Sequence, residues 1–429
     1  PILLPYCAEP QAPLARFHII LFLAEMGHRH RQVTRENGEL DTVERSDRGM
    51  HRQHPVQPGR TTTGRPDDED EPPVKCSTHL PRSGLPKITV RSKSMHGEQR
   101  EHICTMKGSE RFGGFLSLEA EIKVSEVAPL GSGLFSSGRA SLAAILKVMR
   151  PARLFLPGFL CDSAYRPAME LGIAVIPYPV GPDLRPPVLY PRTDDMVLFV
   201  DYFGMLTEEL HALASPLGDR AIIDRSQCWF SPIPENCWSF DSARKFFGVP
   251  DGSRLRGPIK VEPSSERNTR YTLDHLVLGM MGEMEDALSA YRLNNKYMHT
   301  GPERISLVGE HLLERIDMDR TRCVRNTNFS ILHEQFAALN QLSMNANAID
   351  APLYYPLLLK EPVELKALHE YGVFAPRLWP DVLDRSDAHR SDVDLVGRLI
   401  PLPIDQRYSR ADMKLMATRV DKVIRVMYP

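Results

Sequence analysis

Long apolar runs are missing from this chain of 429 residues. The longest near the start, Phe17 to Ala24, falls well short of the ~20 residues that cross a bilayer. Glu25, His28 and Arg29 follow at once, without the small-residue cleavage pattern of an export signal. A cytoplasmic protein with no membrane partner is the expectation. An excess of one charge is missing as well, with 53 basic side chains against 55 acidic. No global field therefore draws nucleic acid, and an anionic ligand has to be recognised locally. Cysteine pairing motifs are absent: the cysteines at 7, 76, 104, 161, 228, 237 and 323 form no Cys-x-x-Cys pair and no zinc-type Cys/His cluster. No metal site is implied, and an odd, dispersed set fits reduced thiols.

Aromatic residues are scarce in one part only. Tyr6, Phe17 and Phe22 are the three that precede residue 112, and 29 of the 32 lie from Phe112 onward. A segment so poor in aromatics buries little, and His28-Arg29-His30-Arg31 and the acidic run Asp67 to Glu71 add charge without period-2 or period-3.6 patterning. Residues 1–111 therefore read as a disordered or non-native extension. The chain opens with Pro1, and Met106 stands just before patterned sequence begins. Residues 1–105 are then either upstream of the natural start or a genuine disordered tail.

From Phe112 onward short apolar runs alternate with amphipathic stretches, the form of an α/β domain with a largely parallel sheet. Residues 153–157, 173–177, 196–201 and 221–224 read as buried strands, and 137–149, 162–171 and 207–214 as the helices between them. Helical periodicity continues over 273–297, 303–316 and 331–342. After residue 345 a strand at 353–359, a helix at 362–371, a strand at 399–401 and a helix at 409–427 suggest a smaller α+β unit. The expected division is a large domain over 112–344 and a small one over 345–429.

Three short segments carry chemistry. Ser136-Ser137-Gly138-Arg139 opens an amphipathic helix, where free N–H groups and the helix dipole favour an anion. Any capped helix has the same local form. Ala221-Ile222-Ile223-Asp224 is a strand ending in a carboxylate, followed by Arg225-Ser226-Gln227, and strand C-termini are where α/β sheets assemble ligand sites. A capping aspartate looks alike. Lys245 stands between Phe240-Asp241-Ser242-Ala243-Arg244 and Phe246-Phe247-Gly248-Val249-Pro250-Asp251-Gly252. An amine in apolar surroundings loses charge and gains nucleophilicity toward an aldehyde, although a lysine beside phenylalanines can equally snorkel to the surface. Together the three supply an anion cradle, an acid for a protonated ring nitrogen and an amine for an aldehyde, the set that pyridoxal 5'-phosphate requires.

On these residues the chain, from about Phe112 to Pro429, resembles the DegT-type sugar aminotransferases, a family of fold-type I pyridoxal-phosphate enzymes. Ser137-Gly138-Arg139 is similar to the family's phosphate-binding Ser-Gly-Thr, Asp224-Arg225-Ser226-Gln227 matches its Asp-x-x-Gln, and Lys245 with Asp251 and Gly252 matches its lysine followed by an acid and a glycine. Gly113-Gly114-Phe115-Leu116-Ser117-Leu118-Glu119 and Pro403-Ile404-Asp405-Gln406-Arg407-Tyr408 look like a divergent branch associated with cell-surface polysaccharide loci. Three positions depart: Cys161 stands where an aromatic stacks on the cofactor, Phe240 where a serine binds phosphate, leaving Ser239 or Ser242, and Ser253 where a second glycine follows.

The resemblance implies a fold-type I large domain with a mixed, mostly parallel sheet, a small α+β C-terminal domain and a site at a homodimer interface. It implies Lys245 as the catalytic residue and Gly138, Arg139, Cys161, Asp224, Gln227 and Ser242 around the cofactor. Lysine rather than histidine at 245 favours transamination over sugar dehydration within the family. The expected activity moves an amino group from an amino-acid donor to a keto-sugar on a nucleotide carrier. The alternative is an altered member with a binding or scaffolding role in glycan assembly. Arg407 is either an anion ligand or, as the residue alone favours, a solvated turn arginine.

Overall fold

The computed structural model describes residues 89–93, 99–103, 111–118, 133–298 and 300–427. All of them lie in one compact unit, Lys75–Pro429. Of the disordered or non-native extension expected over 1–111, only 89–93, 99–103 and 111 are described, and the question of a start at Met106 lies outside the described residues. Strands β1 (Thr89–Lys93) and β2 (Gln99–Ile103) pair antiparallel, and β3 (Phe112–Gly113) begins the continuous architecture.

Next come β4 (Leu134–Phe135), helix α1 (Gly138–Met149), β5 (Arg153–Pro157), α2 (Asp162–Glu170), β6 (Ala174–Tyr178), β7 (Asp195–Val200), α3 (Thr207–Ala214) and β8 (Ala221–Asp224). They are followed by β9 (Trp238–Phe240), the one-turn helix α4 (Ala243–Phe246) and β10 (Ser253–Arg256). A seven-stranded sheet runs in the order β4-β10-β9-β8-β7-β5-β6. Strands β5 to β9 are parallel, and β10 is antiparallel to both its neighbours. This is the mixed, mostly parallel sheet expected from sequence. Every residue of β7 and β8 is buried, which explains why central parallel strands read as continuous apolar runs. Edge strand β6 keeps exposed positions.

The chain leaves β5 outward to β6 and returns on the other side as β7. That reversal opens a crevice at the C-terminal strand ends, where ligands of open α/β sheets bind. α1 covers the sheet through Ala140 to Leu146, all buried. The Ser137 hydroxyl accepts from the Ala140 N–H at 3.2 Å to start the helix, and Arg150, in the left-handed region at φ 48°, returns its N–H to Leu146.

Helices α5 (Asp274–Met281), α6 (Met284–Tyr297), α7 (Leu307–Leu313) and α8 (Met318–Phe336) lead to β11 (Tyr354–Leu358), α9 (Leu365–Glu370), β12 (Val373–Phe374), α10 (Arg390–Arg398), β13 (Leu399–Pro403) and α11 (Arg410–Met427). β11 and β13 pair antiparallel, and β12 pairs with β3. The helix expected over 273–297 is two helices, because Gly282 turns left-handed at φ 85°. The helix expected over 331–342 is the second half of α8, which starts at Met318 under an Asp317 cap and ends at Phe336. Buried Arg325 and Asn328 interrupt the apolar stripe that would have revealed its first half. One core surrounds the large sheet, and a second joins α8, α9, α11 and the β11–β13 pair. A third gathers Trp229, Phe246, Phe247, Ile305 and Leu353.

Cys161, Cys228 and Cys237 carry free thiols. Among the described residues no helix is long and apolar enough to cross a membrane.

Candidate active site

Parallel strand ends deliver the candidate residues. β8 stops at Asp224, β9 leads through Ser242 into α4 and Lys245, and β5 leads through Phe159 to Cys161. α1 opens beside them at Gly138, where a Cβ would lie 3.2 Å from the Phe240 ring. Glycine at 138 is thus what lets the aromatic at 240 pack against the helix start.

Lys245 is half-buried, and its Nζ donates to the Ser226 Oγ at 2.7 Å. Ser226 in turn holds Asp224: its backbone N–H donates to Oδ1 at 2.8 Å, and its hydroxyl also bonds the carboxylate. Burial pushes the Asp224 carboxyl above its ordinary pKa, while the Lys245 charge and the Ser226 hydrogen bonds pull the other way. Lysine, serine and aspartate therefore form one connected set. The apolar enclosure expected around Lys245 is different in kind. Phe246 and Phe247 point into the third core, with Phe247 edge-on to Trp229 at 5.1 Å, and the amine lies on the polar side of the turn. The Phe246 carbonyl accepts from Arg325 Nη2 at 3.1 Å and Gln406 Nε2 at 3.0 Å, which ties the lysine turn to α8 and to the segment after β13.

A cleft opens at Lys245, lined by Gly113, Gly114, Tyr354, Asp405 and Arg407. Gly113 has φ 91°, and a Cβ there would stand 2.1 Å from the Phe374 carbonyl oxygen, so no other residue fits. Its N–H donates to the Tyr408 hydroxyl at 2.7 Å. The anion-binding role expected of Arg407 is not what this geometry offers. Its guanidinium grips Asp405 at 2.6 and 2.9 Å and donates to the Phe115 carbonyl at 2.7 Å. Burial raises the Asp405 pKa, but Arg407 outweighs it and holds the carboxyl below its ordinary range.

Cationic groups gather on the other flank. Arg139 donates to the Asn295 carbonyl at 3.4 Å, and burial, followed by repulsion from Arg244 and Arg166, lowers its pKa to about 10. Arg244 lies 5.7 Å over the Tyr291 ring, and its Nη1 is buried without a partner among the described residues. Burial pushes the Tyr291 phenol up, but Arg244, Asn295 and Lys245 outweigh it and the net shift is downward. His275 packs edge-on to Tyr291 at 5.5 Å, and burial, then Arg244, lowers its pKa to about 4. The Cys161 thiol contacts the Ser163 hydroxyl at 3.0 Å.

Gly138, Arg139, Cys161, Asp224 and Lys245 thus share one edge of the sheet. Gln227 differs: its Oε1 accepts from the Phe203 N–H at 3.2 Å, so that oxygen serves the backbone. Ser242 is buried before α4 and makes no side-chain cap bond, and the Ser239 hydroxyl is buried without a partner. Ser226, Arg244, Tyr291 and His275 escaped the sequence reading. Ser226 and Arg244 sit within or beside recognised motifs, whereas Tyr291 and His275 carry no local signal.

No family model matches the chain, and no curated protein matches it. Solved structures do match. TlmJ, an aminotransferase from Streptoalloteichus hindustanus, is similar over 73% of this chain and 93% of its own, with 13% identity and a TM-score of 0.51. Helicobacter pylori PseC, an aminotransferase involved in the biosynthesis of pseudoaminic acid, is similar over 74% of this chain and 100% of its own, with 13% identity and a TM-score of 0.50. A DegT DnrJ EryC1 StrS aminotransferase from Brucella abortus is 15% identical over 68% of this chain and 85% of its own, with a TM-score of 0.48. At such identity the likeness to TlmJ and PseC establishes the fold, and the fold is the one that the motif resemblance implies.

Proposed function

We propose that the chain is a pyridoxal-phosphate-dependent aminotransferase of the DegT type that transfers an amino group from an amino-acid donor to a nucleotide-linked keto-sugar in cell-surface polysaccharide biosynthesis. The observation that carries this reading is the Lys245–Ser226–Asp224 connection at the strand ends. The residues fit the cofactor: a half-buried amine, a buried carboxylate and a capped helix start converge in one site, and Arg244 offers a buried donor with no partner.

Pyridoxal phosphate, when bound, supplies an aldehyde and an electron-accepting pyridine ring. In this reading Lys245 Nζ would hold the aldehyde end of the cofactor and would serve as the group that moves a proton at the substrate. Ser226 orients that amine. Asp224 provides the counter-charge for a protonated ring nitrogen. Gly138 and Arg139 would hold the phosphate end, and Cys161, Gln227 and Ser242 would complete the surround. The large domain over 112–344 carries these groups and the small domain over 345–429 closes the cleft, with α8 packing its buried face into the C-terminal core. We further place the protein in the cytoplasm as a homodimer.

Titration with pyridoxal phosphate, followed by visible absorbance, tests the reading. Wild type should develop a saturable band that Lys245→Ala lacks, and an unchanged spectrum in the variant would remove Lys245 from its role. A second reading, a binding or scaffolding protein that keeps the fold, draws on the Cys161 thiol and on the Phe240 ring packed against Gly138. Folded wild type that takes up no cofactor would favour it.

A further inference from the structure

Arg139 donates to the Asn295 carbonyl at 3.4 Å and Arg244 lies 5.7 Å over the Tyr291 ring, so both side chains meet α6 one turn apart, and neither forms an ion pair with a carboxylate among the described residues. Two carboxylates stand within electrostatic reach, and both are otherwise engaged. Glu170, which senses Arg139, pairs with Arg166 at 2.6 Å and also bonds Thr300. Asp251, which senses Arg244, accepts from Asn268 at 2.9 Å and from the Ser306 hydroxyl and N–H at 2.7 and 2.8 Å. Partly buried like charges repel, and an arrangement that leaves Arg244 Nη1 enclosed without an acceptor carries the cost of an unmade charged hydrogen bond. An anion between the two would relieve both costs.

The surroundings fit an anion with several oxygens. Arg139 is the second residue of α1, a twelve-residue helix whose first-turn N–H groups point the same way as its positive dipole end. Arg244 is held by the Tyr291 ring beneath it and immediately precedes Lys245. Planar guanidinium forks match phosphate oxygens in pairs, and two forks with a helix start supply more donors than a carboxylate can accept.

We propose that Arg139 and Arg244 form a two-arginine clamp for a phosphate group. This deepens the preceding reading and rests on it, since the phosphate belongs either to pyridoxal phosphate or to the diphosphate of a nucleotide carrier. The clamp differs from a helix-start cradle alone in taking its second cation from the residue before the lysine.

The test compares binding of pyridoxal phosphate, pyridoxal and uridine diphosphate to wild type, Arg139→Thr, Arg244→Gln and Arg244→Lys, with thermal melting as the check on folding. A charge-assisted hydrogen bond of this kind corresponds to roughly a ten- to hundredfold change in affinity. Arg244→Gln and Arg139→Thr should each cut the preference for pyridoxal phosphate over pyridoxal by about tenfold, with pyridoxal binding itself unchanged and Arg244→Lys restoring part of the loss. If that preference stays and uridine diphosphate binding falls instead, the clamp takes the carrier diphosphate. If neither falls in variants that melt with wild type, the clamp is refuted. Should wild type bind neither form of pyridoxal, the cofactor reading fails separately, and the uridine diphosphate arm still decides the clamp.

Discussion

A serine hydroxyl 2.7 Å from the Lys245 amine links that amine to Asp224. Ser226 occupies a variable position of Asp-x-x-Gln, so the motif signalled Asp224 and Gln227 while the residue that joins lysine to aspartate went unread. Replacing Ser226 with Ala should leave cofactor uptake intact but shift the pH midpoint of the visible band, because the amine loses its neutral acceptor and Asp224 loses one bond. Absorbance recorded from pH 5 to 10 checks this, and identical midpoints would assign Ser226 a packing role only. His275 offers a second residue-scale test. Its folded pKa of about 4 lies below the ordinary 6.5, so between those values the unfolded chain binds a proton that the folded chain refuses. The contribution of His275 to stability is therefore present above pH 6.5 and lost as pH falls toward 4. His275→Gln should lose less melting temperature over that interval than wild type, and parallel curves would contradict the assignment.

At the scale of elements, strands and helices around the parallel sheet were legible because period and burial coincide there. β5 and β8 run over the residues expected, and α1 differs from expectation by the capping Ser137 alone. β9 and β10 were not, since a three-residue strand leaves too few positions for a pattern and Ser253–Arg256 carries a single apolar residue, Leu255. The first half of α8 was hidden by its buried Arg325 and Asn328, whose partners are carbonyls distant in sequence. The pairing of β3 with β12 is the element that encloses the cleft, and it depends on Gly113. Gly113→Ala meets the Phe374 carbonyl at a positive φ. Urea unfolding should show a loss of about 3 kcal/mol, and a loss below about 0.5 kcal/mol would mean that the strand pair yields easily.

For the whole molecule, the fold brings together groups from β5, β8, α1, α4 and α6 that are scattered over more than a hundred residues, and no local motif could have assigned Tyr291 or His275 to the same flank as Lys245. Composition was informative at this scale about partners: near-neutral charge left anion recognition to local arginines, and the structure gathers Arg139 and Arg244 beside the lysine turn. The homodimer that we propose should appear in light scattering as twice the chain mass, and a monomer at micromolar concentration would count against a shared site.

The central claim is that Lys245 holds pyridoxal phosphate. Borohydride reduction of the protein incubated with the cofactor, followed by peptide mapping, tests it most directly. The account predicts one reduced cofactor on the peptide containing Lys245 and none in Lys245→Ala. Folded wild type with no label, or with label spread over surface lysines and retained in the variant, would contradict it.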